Sequence, residues 1–370
     1  MAKKSLKQLK VAIVHDWLYG GGAERVVYEL HKMFPDAPIY TSYCSDEWRQ
    51  ELDDKVVTGF LQQWPFSSLR KFLPVLRIWW FGRLNFEGYD LVISSTGNGE
   101  AFGINVPEGT THVCYCHSPT HFYWRHYDQY VQRPGFGALD PLARLGLRLL
   151  VGPLRQWDQK AAQRPDYFIA NSTQIQEDIK KYYNRDSVVI FPPVDIARFA
   201  SGNTTKRKGF VTMGRQVPYK RFDIVVETCA KLGVPLKVIG RGPDHDRLVQ
   251  LAGPTVEFLS SVTDEQMPNL LAGAEAFLYA AREDFGIAPP EALAAGTPVI
   301  TYKAGGALDY VVPGKTGEFF DSQDINALAN VIKTFDAKKY DHVEIATFAK
   351  RFSSDKFVQN MEDYLQKTCL

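Results

Sequence analysis

The sequence predicts an α/β protein built from two doubly wound parallel-sheet domains. Short apolar runs alternate with helix-like segments along all 370 residues, as expected for βαβ units. The runs are apolar throughout, which is typical of strands in sheets that are covered on both faces. The series also occurs twice, on either side of a polar, proline-containing stretch at 188–209. Such a stretch is typical of an interdomain connector, and this chain length favours two domains.

The composition is that of an ordinary soluble protein, with 45% hydrophobic residues and a formal net charge of +1. A charge this close to zero argues against a nucleic-acid binder. Five cysteines without a C-x-x-C pair indicate a reducing compartment and no disulfide framework. We find no signal peptide and no apolar run of membrane-spanning length, so we expect a cytoplasmic protein.

The first domain is predicted over residues 1–195. A buried strand at 10–17 leads into a glycine turn, Gly20 to Gly22, and a helix over 23–34. Further strand candidates are PIYTSY, VVTGF, LVISST, HVCYCHS and YFIANS. The turn is not a complete G-x-G-x-x-G motif, so Gly21 and Gly22 could serve a donor phosphate or the acceptor. His117 ends a strand; a lone histidine is usually a structural hydrogen-bonding residue, but this position favours a functional one.

The second domain is predicted over residues 205–345. Its strand candidates are GFVTMGR, LKVIG, VEFLSS, EAFLYAA, PVITYK and GEFF. A last helix over 354–370 has a cap signal at Ser354 and apolar residues at helical spacing. It follows the completed second sheet, so it could pack on either domain.

The stretch EDFGIAPPE holds two acids in a compact turn after a strand. Glu283 is predicted in the loop and Glu291 in the first helical turn, where Pro289 and Pro290 are well tolerated. The backbone N–H groups of residues 286–288 then lie at a helix N-terminus and can bind an anion. Acids on both sides of a phosphate suit a nucleoside diphosphate sugar, because carboxylates accept hydrogen bonds from ribose and hexose hydroxyls. Equally, the acids could simply favour the helix dipole.

A second loop, GRQVPYKRFD, places Arg215 and Lys220 after another strand. Both could bind phosphate, the arginine through its fork and the lysine as a point charge. Two surface cations are the alternative, which becomes weaker if the pair shares a crevice with an anion site. Asp244 and Asp246 resemble a metal-binding Asp-x-Asp, but they stand at a helix start, where aspartates are common caps. We therefore predict no metal and no cofactor.

These motifs together resemble glycosyltransferase family 4, retaining enzymes of the GT-B fold, over nearly the whole chain. EDFGIAPPEALAAGTPVI and the following GGALDYVVPGKTGEFF carry the strongest resemblance. HDWLYGGGAERV and YCHSPTHFYW resemble the branch of bacterial O-antigen mannosyltransferases. The resemblance implies two facing Rossmann-like domains, with the last helix crossing back onto the first.

The resemblance also implies roles for individual residues. His117, Glu283, Arg215 and Lys220 match the positions around the donor sugar and its pyrophosphate, and Glu291 matches the glutamate that contacts the ribose. The remaining donor-binding positions that match are Gly21, Gly22, Ser261, Val262, Phe285, Gly286, Ile287 and Ala288. We find no clear nucleophile, and the family implies front-face attack in which the leaving phosphate takes the acceptor's proton.

The function predicted is transfer of a hexose, with mannose from GDP-mannose favoured, to a saccharide or polyprenyl-linked oligosaccharide in bacterial surface polysaccharide synthesis. A nucleotide-sugar epimerase of the same fold and a non-catalytic nucleotide-sugar sensor are the alternatives.

Segment 64–86 mixes basic and aromatic residues and is a candidate for contact with an anionic membrane or the acceptor. The residues proposed for this surface are Arg70, Lys71, Arg77, Trp79 and Trp80. The alternative is a helix that packs on the first sheet with solvated arginines.

Overall fold

A computed structural model describes residues 5–70, 73–98, 100–125, 127–132, 137–200, 202 and 206–370. The chain forms two compact units. The first comprises Met1–Pro192 together with Val358–Leu370, and the second comprises Pro193–Phe357. Each contains one parallel sheet with helices, so the predicted α/β class with two Rossmann-like sheets is confirmed.

The first unit holds a seven-stranded sheet in the order β3-β2-β1-β4-β5-β6-β7. Its strands are β1 Val11–His15, β2 Ile39–Thr41, β3 Val56–Val57, β4 Leu91–Thr96, β5 Thr111–Cys116, β6 Tyr167–Ala170 and β7 Val188–Val189. Its first seven helices are α1 Ala23–Met33, α2 Asp46–Glu51, α3 Phe66–Leu69, α4 Pro74–Phe81, α5 Tyr127–Gln132, α6 Asp140–Ala161 and α7 Thr173–Tyr183. The short strand β7 lies in the stretch predicted as a connector.

The second unit holds a six-stranded sheet in the order β10-β9-β8-β11-β12-β13. Its strands are β8 Phe210–Met213, β9 Leu236–Ile239, β10 Val256–Leu259, β11 Ala276–Tyr279, β12 Val299–Tyr302 and β13 Gly317–Phe320. Its helices are α8 Ile196–Ala200, α9 Phe222–Leu232, α10 His245–Leu251, α11 Met267–Ala272, α12 Ala288–Ala294, α13 Ala307–Tyr310, α14 Ile325–Thr334 and α15 His342–Ala349. Every pairing in both sheets is parallel.

The last helix, α16 (Ser354–Cys369), ends in the first unit. Met361 and Leu365 are fully buried there, and the ring of Tyr364 meets that of Tyr167 on β6 edge-on. The cap differs from the prediction by one residue, because Ser353 and not Ser354 accepts the hydrogen bond from the backbone N–H of Lys356. The chain therefore returns to the first sheet after it completes the second.

Helices α4 and α6 cover the same face of the first sheet. Val14, Ser94 and Cys114 stand side by side in register on β1, β4 and β5, so their side chains share one face. Trp80 of α4 packs in one cluster with Val14, and Ala161 of α6 packs in another with Cys114. The connections that contain α4 (β3 to β4) and α6 (β5 to β6) both run toward the β7 edge of the sheet. Because such crossovers are right-handed, both helices are expected on the same face.

Two residues proposed for the surface of segment 64–86 are buried instead. Arg77 is almost wholly enclosed, and its guanidinium lies 2.7 Å from a carboxylate oxygen of the equally buried Glu100. Trp80 lies under Gly59, where a Cβ would come within 2.1 Å of the indole nitrogen. The prediction that these two side chains face a membrane or an acceptor was wrong. Basic residues between aromatic ones do not show whether an arginine meets lipid or an internal carboxylate.

The Arg77–Glu100 pair gives a prediction about stability. Burial raises the pKa of Glu100 to about 7, and Arg77 opposes that rise. Arg77→Met would leave a buried carboxyl without its cation, so we expect a loss of about 3–5 kcal/mol in the free energy of unfolding. Urea unfolding followed by tryptophan fluorescence measures this loss.

The double variant Arg77→Met/Glu100→Leu is the matched control, because it removes both charges and keeps apolar volume. We expect it to recover most of the loss. Equal losses in the single and double variants would show that packing around Arg77, and not the unpaired charge, is what matters.

Candidate functional site

The strand order of the second sheet reverses between β8 and β11, which are neighbours. Open parallel sheets bind ligands at such a switch point, outside the carboxyl ends of the strands. The loop with Arg215 and Lys220 follows β8, and the loop with Glu283 follows β11. The structure therefore brings the two loops singled out from the sequence to the same edge of one sheet.

Lys220, Glu283 and Tyr279 form a charged cluster at this switch point. The ammonium of Lys220 lies 3.1 Å from one carboxylate oxygen of Glu283, and these side chains are 17% and 19% exposed. The Tyr279 hydroxyl donates to the other oxygen over 2.5 Å. Burial, and then the charge of Glu283, raise the pKa of Tyr279 well above its ordinary value, so its hydroxyl stays a neutral donor. The carboxylate is thus held from both sides.

Glycines let the turn after β11 pack closely against the loop after β12. Gly306 donates its N–H to the carbonyl oxygen of Glu283 over 3.0 Å. A Cβ on Gly305 would lie 2.1 Å from that oxygen, and one on Gly306 would lie 2.4 Å from the Cα of Phe285. Gly286, at φ +81, makes the left-handed step that ends the turn. A side chain at either position 305 or 306 would push Glu283 out of place.

Buried side chains and glycines also support the loop after β8. Gln216 is fully buried, donates to the Gly240 carbonyl oxygen over 2.7 Å and lies 2.7 Å from Nδ1 of His245. A Cβ on Gly242 would lie 2.3 Å from the carbonyl oxygen of Gln216. This anchoring holds the segment that leads to Lys220.

Lys220, one of the two cations of this loop, lies on a 3-10 turn, Pro218–Lys220. Helix α9 begins only after Arg221, which is left-handed at φ +53, so Lys220 precedes that helix. Arg215 is exposed.

The segment after Glu283 turns from the surface into the core. Phe285 is buried against the rings of Tyr310 and Phe352. Helix α12 begins at Ala288, with Ile287 as its N-cap residue, and Glu291 lies buried in the first turn. The two glutamates therefore occupy a loop and a helix start, at different depths.

Ser261 and Val262 lie further along the same end of the sheet. They follow β10, an edge strand that β9 separates from β8. Ser261 is exposed and Val262 half-buried. Two strand spacings amount to roughly 10 Å, so these residues do not join the Lys220 cluster.

In the first unit, His117 lies in a polar group at the ends of β1, β4 and β5. Its Nε2 is 2.8 Å from the Ser95 hydroxyl. His15 Nδ1 lies 2.7 Å from the Ser95 carbonyl oxygen, and because a carbonyl only accepts, Nδ1 carries a hydrogen and donates it. The His15 and His117 rings meet edge-on at 6.2 Å.

Asp16 fixes the loop after β4 in place beside this group. Its buried carboxylate accepts hydrogen bonds from the Thr96 hydroxyl and from the backbone N–H groups of Gly97, Asn98 and Ala101, all within 3.0 Å. Its backbone carbonyl accepts from Ser42, the residue after β2. One aspartate therefore connects the loops at the switch point of the first sheet.

The glycine turn at 20–22 is closed by a residue of its own helix. The buried Glu24 accepts hydrogen bonds from the N–H groups of Tyr19 and Gly20, at 3.3 and 3.0 Å. A Cβ on Gly21 would lie 3.0 Å from a Glu24 oxygen, while Gly22 is exposed. The carboxylate therefore occupies the N–H groups of Tyr19 and Gly20 and places a negative charge beside Gly21.

The outer surface of segment 64–86 carries an aromatic and basic pair. Trp79 is 47% exposed, and the guanidinium of Arg83 lies 4.1 Å from the centre of its ring. Arg70 is half-buried between the rings of Tyr19 and Tyr43. Lys71 lies outside the described residues.

The part of the chain that the structure describes contains neither a metal-ligand cluster nor a helix that could span a membrane. There, no three histidine, cysteine or acidic side chains gather as a metal site would require. The described helices include none with the length and apolar character needed to cross a bilayer.

Sequence reasoning missed several residues that shape the candidate site. Tyr279 ends β11, and its position in an apolar run predicts a core residue. Its hydroxyl nevertheless donates a hydrogen bond to the Glu283 carboxylate. Gly305 and Gly306 begin the family-like stretch GGALDYVVPGKTGEFF, and a glycine pair after a strand is itself a signal of close backbone approach. Gln216 and Asp16 gave no signal, because a buried amide or carboxylate is identified by its partners.

The fold and these two groups define a two-domain α/β protein with charged or polar loops at the switch point of each sheet. Residues 20–198 match the family described as Glycosyltransferase Family 4, and residues 193–352 match the one described as Glycosyl transferases group 1. Together the matches span 20–352, and the chain belongs to the family 4 glycosyltransferases.

Curated relatives of this chain are also named as glycosyltransferases. The D-inositol 3-phosphate glycosyltransferase of Mycolicibacterium smegmatis is 30% identical over 49% of this chain and 48% of that protein. A GDP-mannose-dependent alpha-mannosyltransferase of Mycobacterium tuberculosis is 34% identical over 34% of this chain and 35% of that protein. The chain thus spans about half the length, or less, of these curated relatives.

The structure of Anabaena HepE in complex with UDP matches with a TM-score of 0.70 at 19% identity, over 97% of this chain and 100% of that one. The sucrose-phosphate synthase of Thermosynechococcus elongatus matches with a TM-score of 0.69 at 17% identity, over 96% and 98%. These likenesses confirm the GT-B fold.

His117 gives a prediction about protonation. Burial, and then the neighbouring His15, lower its pKa to about 3, because both disfavour the imidazolium. The ring should therefore show no titration between roughly pH 5 and 8. Since an unfolded histidine titrates near pH 6.5, the residue lowers the free energy of unfolding as the pH falls from about 6.5 towards 3.

Histidine NMR spectra, assigned with His117→Gln, measure the titration. Ser95→Ala is the control, because it removes the hydrogen bond but keeps the burial, and the pKa should stay low. A midpoint near 6.5 in the native protein would contradict the assignment of a neutral ring.

Proposed function

We propose that this protein is a retaining glycosyltransferase that moves a hexose from a nucleoside diphosphate sugar to a saccharide or a polyprenyl-linked oligosaccharide. The observation that carries the proposal is the Lys220–Glu283–Tyr279 cluster at the switch point of the second sheet. An ammonium next to a fixed carboxylate can bind a phosphate and a sugar hydroxyl that are adjacent in one ligand. Family membership supports the reaction class.

The donor lies along the carboxyl ends of the second sheet in this proposal. Arg215 and Lys220 hold the pyrophosphate, and Glu283 holds the hexose. The backbone of Phe285 to Ala288 contacts sugar and phosphate, and Glu291 contacts the ribose. The base lies toward Ser261 and Val262, whose offset of two strands suits a ligand of this length. Gly21 and Gly22 stay candidates for the donor or the acceptor, with the Glu24 carboxylate weighing against phosphate.

Mannose and GDP are favoured over other sugars and bases. Two relatives support this choice: the Mycobacterium tuberculosis protein and a Mycolicibacterium smegmatis protein are each named as GDP-mannose-dependent mannosyltransferases. A role in bacterial surface polysaccharide synthesis follows from the resemblance of the N-terminal motifs to the O-antigen branch.

The chemistry proposed is front-face displacement without a metal. The bond between the anomeric carbon and the phosphate oxygen breaks, the acceptor oxygen attacks from the same face, and its proton passes to the leaving phosphate. Lys220 has three N–H donors, so it can keep Glu283 and still stabilise the charge that develops on the diphosphate. The neutral His117 ring would contribute a hydrogen bond near the departing oxygen and no charge.

The role of the cations is tested by turnover. Lys220→Ala should lower kcat/KM, because it removes about 2–4 kcal/mol of transition-state stabilisation. Arg215→Ala should have an effect of similar size. Release of nucleoside diphosphate is measured over a panel of nucleotide sugars, with and without acceptor oligosaccharide. A transferase releases the nucleotide when acceptor is present, a sensor binds without turnover, and an epimerase changes the sugar without releasing it.

Lys231→Ala is the matched control, since this lysine is exposed on α9, away from the loops of the switch point. Its turnover should equal that of the native protein. Normal kcat/KM in both Lys220→Ala and Arg215→Ala would place the pyrophosphate elsewhere.

Substitutions of the two glutamates should have different effects on donor binding and on turnover. In this proposal Glu291 contacts the ribose, which does not react. Glu291→Gln should therefore weaken donor binding roughly tenfold, with less effect on kcat. Glu283 lies where positive charge builds on the sugar ring, so Glu283→Gln should lower kcat by roughly a hundredfold and affinity less. Calorimetric binding of the nucleotide sugar, measured beside turnover, separates the two effects.

The swap to glutamine keeps size and a hydrogen-bond acceptor for Tyr279, so an electrostatic role still shows. If Glu283→Gln loses only binding while Glu291→Gln loses only turnover, the two ends of the donor are assigned the wrong way round.

We further propose that the first unit meets an anionic membrane in the cytoplasm, where a polyprenyl-linked acceptor would be presented. The exposed Trp79 and the Arg83 that stacks on it support this contact, whereas Arg77 and Trp80 take no part in it because they are buried.

A further inference from the structure

Helix α6 of the first unit is apolar on two opposite sides. Its inner side, with Val151 and Leu154, is buried against the domain. On the other side, Leu142, Leu145 and Leu149 form a row at i, i+3 and i+7, which is one stripe of a helix. Leu142 is 68% exposed and Leu149 67%. We call this stripe, with its flanking Leu139 and Leu150, the outer leucine row.

A helix that is apolar on both sides is normally covered on both. The outer leucine row exposes on the order of 500 Å² of apolar surface, which is as large as the largest apolar patch on a typical monomer, and such patches are often functional. A stable protein interface buries about 800 Å² per partner, so the row alone is too small for one. A bilayer requires no such minimum, because leucines can enter it singly.

The charges of α6 favour an anionic partner. Between Asp140 and Asp158 the sequence contains three arginines and no acid. Arg144 and Arg155 donate to backbone carbonyls of Val131 and Tyr123, whereas Arg148 is exposed beside the outer leucine row. A leucine stripe flanked by arginine is the pattern of a helix that lies in the interfacial region of a membrane.

The position of α6 supports the same partner. Helices α4 and α6 cover one face of the first sheet, so their outer surfaces point to the same side of this unit. Both helices pack against the short 3-10 turn that follows β4 (Ala101–Gly103) and its N-cap Glu100: Arg77 of α4 pairs with Glu100, and Trp157 of α6 lies where a Cβ on Gly103 would be. The outer leucine row and the exposed Trp79 can thus meet one surface together.

We propose that the outer leucine row of α6 inserts into the headgroup–acyl boundary of an anionic bilayer. This extends the partner named under the proposed function from segment 64–86 to a second helix, and it concerns a contact that needs neither donor nor turnover. Lipid binding can therefore fail while glycosyl transfer stands, and the reverse.

Co-sedimentation of the full-length protein with vesicles of phosphatidylcholine, with and without phosphatidylglycerol, tests the proposal. Leu142→Glu/Leu149→Glu should lower partitioning into the anionic vesicles at least about tenfold, since two apolar anchors become charged. Arg148→Ser should weaken binding and reduce its dependence on salt. Trp79→Ser reports separately on segment 64–86.

Val343→Glu is the matched control, because Val343 is 76% exposed on α15 of the second unit and should not affect partitioning. Thermal unfolding checks that the leucine variant is folded. Unchanged partitioning of the folded leucine variant would overturn the proposal. So would a native dimer in sedimentation velocity that this variant dissociates, because the row would then bind a second copy of the chain.

Discussion

The ion pair between Lys220 and Glu283 is the interaction on which the candidate site of the second unit depends. It joins the loops that follow β8 and β11 across the point where the strand order reverses. Two opposite charges at a rim would usually be solvated and weakly coupled. Here both side chains are mostly enclosed, and the Tyr279 hydroxyl takes the remaining carboxylate oxygen. Neither partner can turn away without leaving a charge unpaired in a partly desolvated place, so the contact holds the two loops in a fixed arrangement.

Such a pair can form only if the backbone beneath it is brought close. The loops at the switch points of the two units are held in place by different means. In the second unit glycines allow it: Gly305 and Gly306 lie where any side chain would strike the turn of Glu283. In the first unit a carboxylate does it, as Asp16 gathers the N–H groups of the loop after β4. In the second unit, close packing restricts the backbone conformation of the Glu283 turn. In the first unit, directed hydrogen bonds to Asp16 fix the loop after β4.

This difference explains how much of the molecule could be predicted from the sequence. The fold class was predictable, because uninterrupted apolar runs alternating with helical segments have few other solutions. The loops of the second site were predictable, because charged residues after parallel strands converge at one edge. The contact between Lys220 and Glu283 was not predictable, since the sequence suggested that these residues contact separate parts of a ligand. Arg77 and Trp80 show the same limit from the other side: their burial depends on Glu100 and Gly59, which are distant in sequence.

The contact within the pair changes what each charge can contribute to the proposed reaction. A free lysine would attract the diphosphate by its full charge, but Lys220 shares that charge with Glu283 before any donor arrives. A bound diphosphate then competes with the carboxylate in the ground state. As charge builds on the leaving oxygen and positive charge builds on the sugar ring, the lysine is drawn to the first and the glutamate to the second. The pair is therefore better matched to the separated charges of the transition state than to the intact donor, which is the condition for catalysis by electrostatic preorganisation.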